Sequence, residues 1–244
     1  MMFRDKTYWL VGASHGLGRA LAKALDAEGA KLVLSARSPD ELRNLAHSLT
    51  SASALPLDVT DSEAVARASK EIGPLDGVIY CAGAYDPMAA ADWKPEGAER
   101  MADVNFMGAL RVLGQVVPAM AKRNAGHIVL IGSLAGHRGL PNAIGYGASK
   151  AAAMHLAENL RADLRRTNIK VQMINPGFIR TRLTDKNEFD MPQIMSADDA
   201  AQNTLKAMKS NRFSTSFPAP FAWLFVLGRY LPLKWFQAIF GQSK

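Results

Sequence analysis

The sequence predicts an α/β fold: one domain built on a doubly wound parallel sheet of about seven strands, with helices on both faces. Three observations predict it. The strand-like segments are short and nearly continuous in apolar residues, as parallel strands buried on both sides are. Segments of helical periodicity lie between them. A glycine-rich turn joins the first strand to the first helix, where the backbone must turn tightly.

In chain order, the first strand spans 8–11 (Tyr8-Trp9-Leu10-Val11) and runs into Gly12-Ala13-Ser14-His15-Gly16-Leu17-Gly18. The next helix spans 17–28. Its unpaired N-terminal N–H groups can receive a pyrophosphate that the small residues allow to approach. The spacing is G-x-x-x-G-x-G, and the alternative reading is a strand–helix turn that simply needs glycine. The second strand, 31–35, ends in Ser35-Ala36-Arg37. An acidic residue in this neighbourhood would suit a ribose 2′-hydroxyl, whereas the Arg37 guanidinium suits a 2′-phosphate. Asp40 is a rival, but it comes after Pro39 at the start of the helix 39–49, where an acid also serves the helix terminus. NADP(H) is therefore favoured over NAD(H).

The third strand is expected at 54–58. Its terminal Asp58 can accept from an adenine amino group or cap the helix 62–72, and Val59 comes directly after it. The fourth strand, 77–81, ends in Cys81-Ala82-Gly83, a thin backbone for an adenosine ribose to pass, with Cys81 itself read as a buried structural thiol. A long helix spans 98–123 and carries Asn105 in its interior, an unfavourable place that singles the residue out; the alternative is a satisfied polar side chain at a bend. The fifth strand, 127–132, delivers Ser133. Tyr146 and Lys150 share one face of the helix 146–166. The sixth strand, 170–175, precedes Pro176-Gly177, and a last helix of the body spans 197–209. Ligands in such sheets bind beyond the carboxyl ends of the strands, where all these residues fall.

Tyr-x-x-x-Lys alone recurs by chance, but here it comes after a dinucleotide turn and a buried strand ending in Ser. A free phenol has a pKa of about 10, too high for proton exchange near neutrality. A nearby ammonium favours the phenolate, and Ser133 can donate to a developing oxyanion.

Together these residues resemble the short-chain dehydrogenase/reductase family, over nearly the whole chain from Lys6 to about Arg212. The resemblance implies a Rossmann-type fold, with residues 1–212 as the dinucleotide-binding and catalytic body, a lid at 180–195, and 213–244 as an aromatic-rich extension of the same domain. The family's glycine motif matches Gly12, Gly16 and Gly18. Its catalytic tetrad matches Asn105, Ser133, Tyr146 and Lys150, with Lys150 also on the nicotinamide ribose and Asn105 anchoring a water. Cofactor contacts are carried over to Ser14, His15, Leu17, Arg37, Asp58, Val59, Ala82 and Gly83, to Pro176, Gly177 and Ile179, and to Thr181 at the nicotinamide carboxamide. Two positions depart from the pattern: Cys81 stands where the family often has Asn, and His15 where NADP-preferring members often have Arg or Lys. The implied activity is NADPH-dependent reduction of a small ketone, aldehyde or 3-oxo compound, and two readings of the aromatic tail described below point to a hydrophobic, lipid-like one. The alternatives are an NAD-dependent alcohol dehydrogenase and a non-catalytic scaffold or sensor. A homodimer or homotetramer is implied, pairing through the helices 98–123 and 146–166. No metal is expected.

The balance of 29 Lys and Arg against 22 Asp and Glu gives a net charge of +7. The cations are scattered rather than clustered, which argues against nucleic-acid binding. Cys81 is the one cysteine, so no internal disulfide forms, and the first strand leaves no room for a signal peptide; the expected compartment is the cytoplasm. His137, Arg138 and Leu140 are expected along a pocket wall, Arg138 as a solvated charge. Nearly half of the aromatic residues lie between Phe213 and Phe240. Three readings stay open for this tail: packing on the core or a partner subunit, a peripheral membrane contact through 217–240, or a wall of an apolar substrate pocket.

Overall fold

The apolar runs pair into one sheet. The computed structural model describes residues 2–186 and 190–240. Its seven strands are β1 (Thr7–Val11), β2 (Lys31–Ser35), β3 (Ala52–Ala54), β4 (Gly77–Tyr80), β5 (Gly126–Ile131), β6 (Ile169–Pro176) and β7 (Ser214–Phe217). All pairs are parallel, in the order β3-β2-β1-β4-β5-β6-β7, so the winding reverses between β1 and β4. Alternate side chains of β1 serve opposite faces, as the two-residue period requires. Tyr8 and Leu10 join one core with helices α1 (Gly16–Ala27), α2 (Pro39–His47) and α7 (Ala197–Lys209). Trp9 and Val11 join the other, with α3 (Ser62–Ile72), α5 (Gly108–Arg123) and α6 (Ile144–Asp163). The short α4 (Pro95–Ala102) precedes α5.

Two expected elements are corrected. The third strand lies at 52–54 rather than 54–58, because Pro56 has no N–H to continue the ladder; Leu55 and Leu57 still donate to Leu34 and Ala36 beyond its end. The helix expected at 98–123 begins at Pro95 and is interrupted by a π turn at Asp103–Met107. Taken whole, Pro95–Arg123 is long and apolar enough to cross a membrane by composition, with mean hydropathy 1.2, but it is packed on the sheet between α3 and α6.

The tail adds β7 to the sheet edge and then two helices, α8 (Phe221–Gly228) and α9 (Leu233–Phe240). Phe225 and Phe236 bury against Leu134 and Ala222, with Leu140, Phe221 and Phe240 packed around them. The Phe236 ring lies against Gly228, where a Cβ would stand 2.6 Å from it, so α9 folds closely back on α8. Arg138 is half-buried rather than a free surface charge: its guanidinium donates to the carbonyls of Gly228 and Leu231 and holds the turn between the two helices.

A buried polar chain ties the amino ends of the strands together. Tyr8 reaches across β4 to His127 on β5, passing over Gly77, where a Cβ would lie 2.2 Å from the ring. Gln172 donates to the carbonyls of Ala207, Ser210 and Arg212, which turns its Oε1 toward His127 Nε2 at 2.9 Å. His127 must then carry its proton on Nε2 and accept from the Tyr8 hydroxyl at Nδ1, 2.9 Å away. Burial lowers the His127 pKa from 6.5 to about 4, and does the same for His137. The unfolded chain therefore takes up protons that the native protein refuses, and stability falls as pH drops from about 6.5 to about 4. Thermal melting across this window should show that loss. His127→Leu should be less stable at neutral pH and lose one proton's share of the slope, about 1.4 kcal/mol per pH unit.

Candidate active site

The site begins where β1 and β4 end side by side. Gly12 adopts φ +96°, and a Cβ there would stand 2.4 Å from the Ala82 nitrogen. The N–H groups of Gly12 and Ala13 both donate to the carbonyl of Ser35, whose hydroxyl accepts from Trp9 Nε1. A Cβ on Gly18 would lie 2.0 Å from the Gly12 oxygen, so the turn closes on itself. His15 occupies the cap position of α1 without bonding its N–H groups, and no acid sits in the first turn. By contrast, α3 and α7 are capped by Asp61 and Ser196, and α2 carries Asp40 and Glu41 in its first turn. The positive end of α1 is thus left open, as a phosphate-binding terminus requires. Leu17 buries its side chain in the core, and the Thr181 methyl carbon comes within 2.8 Å of where a Gly16 Cβ would be.

The residues around the second strand divide by charge. Arg37 is exposed at the end of β2. Ser14 Oγ meets His15 Nδ1 at 2.8 Å, and His15 Nε2 lies 3.6 Å from Glu41. Burial lowers the His15 pKa, Arg182 and Arg19 add to this, and Glu41 opposes it. Asp40, the rival to Arg37, points into an exposed ion pair with Arg43 at 2.6 Å. Asp58 does not cap α3, since Asp61 does; its Oδ1 accepts from the N–H and hydroxyl of Thr60. Val59 is buried, and its carbonyl accepts from Arg111, which also pairs with Asp103.

Asn105 explains the π turn. Its Oδ1 accepts from the Ala84 N–H at 2.7 Å, and its Nδ2 donates to the Ala84 carbonyl and to Ser149 Oγ. One side chain thus replaces a backbone pairing for the segment after β4, and the extra residue in the helix aims it there. Gly83 sits above this clamp: a Cβ on it would stand 3.6 Å from Asn105 Oδ1 and 3.8 Å from Lys150 Nζ. Lys150 is 5% exposed, donates to the Ile131 carbonyl at 3.0 Å, and lies 5.8 Å from the Tyr146 ring centroid. Burial brings its pKa from 10.5 down to about 8. Ser133 Oγ accepts from the Ala135 N–H, and it lies near enough to the Tyr146 phenol to oppose the rise in its pKa. Burial pushes the phenol pKa up, Ser133 opposes the rise and Cys81 adds to it. The Cys81 thiol is pushed up to about 11 by burial, as a structural thiol would be.

Beyond β6, the N–H of Gly177 donates to Phe217, and Pro176 ends the strand. Ile179 bridges Met195 through its neighbours Phe178 and Arg180, and its own carbonyl accepts from Thr184 Oγ1. Thr184 Oγ1 also takes the Thr181 N–H, which leaves Thr181 aimed back at α1. The expected lid, 180–195, is therefore pinned at both ends, and its residues 187–189 lie outside the described residues.

Several contributors were missed from sequence. Tyr85 stacks edge-on against Tyr146 with centroids 4.9 Å apart, its position after a strand end being the one available signal. Arg111 and Glu41 act through contacts distant in the chain and leave no local trace, while Thr184 acts locally, on Ile179 and Thr181. Among the described residues, no group of three His, Cys, Asp or Glu side chains is placed to hold a metal.

Comparison with known proteins agrees with this geometry. Residues 6–191 match the short chain dehydrogenase family. An uncharacterized oxidoreductase of Myxococcus xanthus is 35% identical over 241 residues, covering 96% of this chain and 95% of that protein. Among solved structures, a short-chain dehydrogenase from Burkholderia cenocepacia in complex with NADP superposes with a TM-score of 0.88 at 26% identity, covering 98% of this chain and 99% of the other. One from Sphingobium yanoikuyae in complex with NADPH gives 0.83 at 28% identity, with 91% and 92% covered.

The Asn105 clamp has a measurable strength. Asn105→Ala leaves the Ala84 N–H and carbonyl without their partner and should cost about 1–3 kcal/mol in denaturant melts.

Proposed function

The chain belongs to the short-chain dehydrogenase family and is an NAD(P)-dependent oxidoreductase; from that premise we propose that it is an NADPH-dependent reductase of hydrophobic ketones, aldehydes or 3-oxo compounds. The observation that carries the reading is the Tyr146 ring 5.8 Å from the buried Lys150 ammonium, with Ser133 at the phenol, in a fold that leaves the N-terminus of α1 uncapped. The residues fit a nicotinamide dinucleotide: Gly12, Gly16 and Gly18 leave room for a backbone-bound pyrophosphate, and Ala82 and Gly83 keep the adjoining floor thin. When bound, that group supplies or takes up the hydride.

The chain's own residues handle the oxygen and its proton. Ser133 donates a hydrogen bond to the substrate carbonyl oxygen, and Tyr146 gives it a proton as charge develops there. The phenolate left behind is favoured by the Lys150 ammonium and by the positive charge of an oxidised nicotinamide, both of which oppose the burial that raises the phenol. Asn105 Oδ1 keeps one acceptor position, and it and Lys150 Nζ surround the same point above Gly83, a place suited to a water that would link them to solvent.

Arg37, Ser14 and His15 form the 2′-phosphate contact in this reading, and the relatives solved with NADP and NADPH support it. Asp58, Val59, Pro176, Gly177, Ile179 and Thr181 line the remaining cofactor path. Glu41 beside His15 favours a second reading, an NAD-linked alcohol dehydrogenase, since a carboxylate suits a ribose hydroxyl better than a phosphate. The hydrophobic substrate is supported by a file of rings from Phe178 to Phe221 to Phe225, at 5.8 and 5.1 Å, beside Leu134. Exposed Met107 and Leu110 support pairing of subunits along α5. Cys81, the lone thiol, supports work in the cytoplasm.

Two experiments test the reading. Tyr146→Phe should lower kcat for carbonyl reduction by roughly 10²–10⁴-fold with dinucleotide affinity unchanged; a variant as active as the native protein rules out Tyr146 as the acid. Fluorescence titration should show NADPH binding more tightly than NADH, with Arg37→Ala removing the difference; equal or tighter NADH binding favours the second reading.

A further inference from the structure

The α8–α9 hairpin has two apolar sides, and only one is covered. Phe225 and Phe236 face inward, 2% and 0% exposed. On the outer side Trp223 and Leu227 share a face of α8, and Tyr230 lies just past its end, with exposures of 60%, 64% and 78%. Leu233, Trp235 and Ile239 continue the surface along α9 at 47%, 60% and 54%. Few soluble surfaces gather so many large apolar side chains in one stretch without a partner.

The charges around this face indicate what the partner is. From Phe213 to Phe240 the chain has no Asp or Glu, and its cations are Arg229 and Lys234. Arg229 lies over the Tyr230 ring at 5.5 Å, pairing a cation with an aromatic at the rim of the face. A protein partner would usually meet mixed charges; Trp and Tyr beside cations, with carboxylates excluded, suit the headgroup layer of an anionic membrane. The net charge of +7 adds long-range attraction to such a surface. Each helix has eight residues, about 12 Å of rise, well short of a hydrocarbon core of about 30 Å. The hairpin can lie in the interface but cannot cross it.

We propose that the outer face of α8–α9 docks this protein on anionic lipid surfaces, with Trp223, Leu227, Trp235 and Ile239 in the headgroup–acyl boundary and Arg229 and Lys234 on the lipid phosphates. The inner side of the hairpin packs on Leu134, next to Ser133, so docking leaves one helical layer between the lipid surface and the reaction site. The inference does not rest on the substrate reading, because docking needs no turnover.

The test is co-sedimentation of the full chain with vesicles of phosphatidylcholine, alone or mixed with phosphatidylglycerol. The protein should bind the mixed vesicles, bind the neutral ones more weakly, and be weakened but not released by added salt. The double variant Trp223→Ala/Trp235→Ala should partition about tenfold less or lower, with its melting temperature and dinucleotide binding unchanged. Failure to bind either vesicle overturns the proposal, as does vesicle binding indifferent to the double variant. A native dimer that the same variant dissociates in gel filtration also overturns it, by assigning the face to a second copy of the chain.

Discussion

The structure depends on one close approach, the backbone of Gly12 against that of Ala82. Neighbouring parallel strands normally keep side chains between their ends and the segments beyond them. Here no Cβ fits, because the Ala82 nitrogen occupies its place. The contact sits where the winding of the sheet reverses, so the crevice at the reversal is floored by bare backbone. The rest of the site is positioned from that floor. Ser35 holds the first turn from one side, Gly83 leads from Ala82 to the Asn105 clamp, and Gly83 lies beside the Lys150 ammonium. Cofactor cradle and proton-handling residues are two ends of one short stretch of main chain.

The electrostatics of the site come from burial more than from pairing. The Tyr146 phenol and the Cys81 thiol are raised by it and Lys150 is lowered, so burial makes each group resist charge, while Cys81 and Lys150 oppose that effect on one another. Such a site holds a neutral phenol beside the Lys150 ammonium. Its protonation state is set by what binds, because a cation brought into a poorly hydrated space acts on the phenol far more strongly than it would in water.

Much of this was legible in the sequence, for a physical reason. Strands buried on both faces must be apolar throughout, and loops at their carboxyl ends must be thin or polar, so the strand positions and the residues Gly12, Ser133, Tyr146 and Lys150 stand out locally. The third strand was misplaced because Leu55, Pro56 and Leu57 are apolar without all being able to pair. The π turn at Asp103–Met107 was hidden because a single inserted residue barely disturbs helical periodicity, although the interior Asn marked the place. Tyr85 against Tyr146, Glu41 beside His15 and Arg138 on the tail are contacts between segments far apart in the chain. No window on the sequence contains both partners.

Arg138 belongs to the loop between Ser133 and Tyr146, yet its guanidinium is spent on the carbonyls of Gly228 and Leu231. Two regions with different tasks, the reacting centre and the aromatic tail, therefore share one fastening. Linkage makes such a fastening work in both directions. If the loop and the tail have more than one arrangement, whatever favours the fastened one in the tail favours it in the loop by the same free energy. The far end of the chain is in that sense tied to the segment that leads from Ser133 to Tyr146.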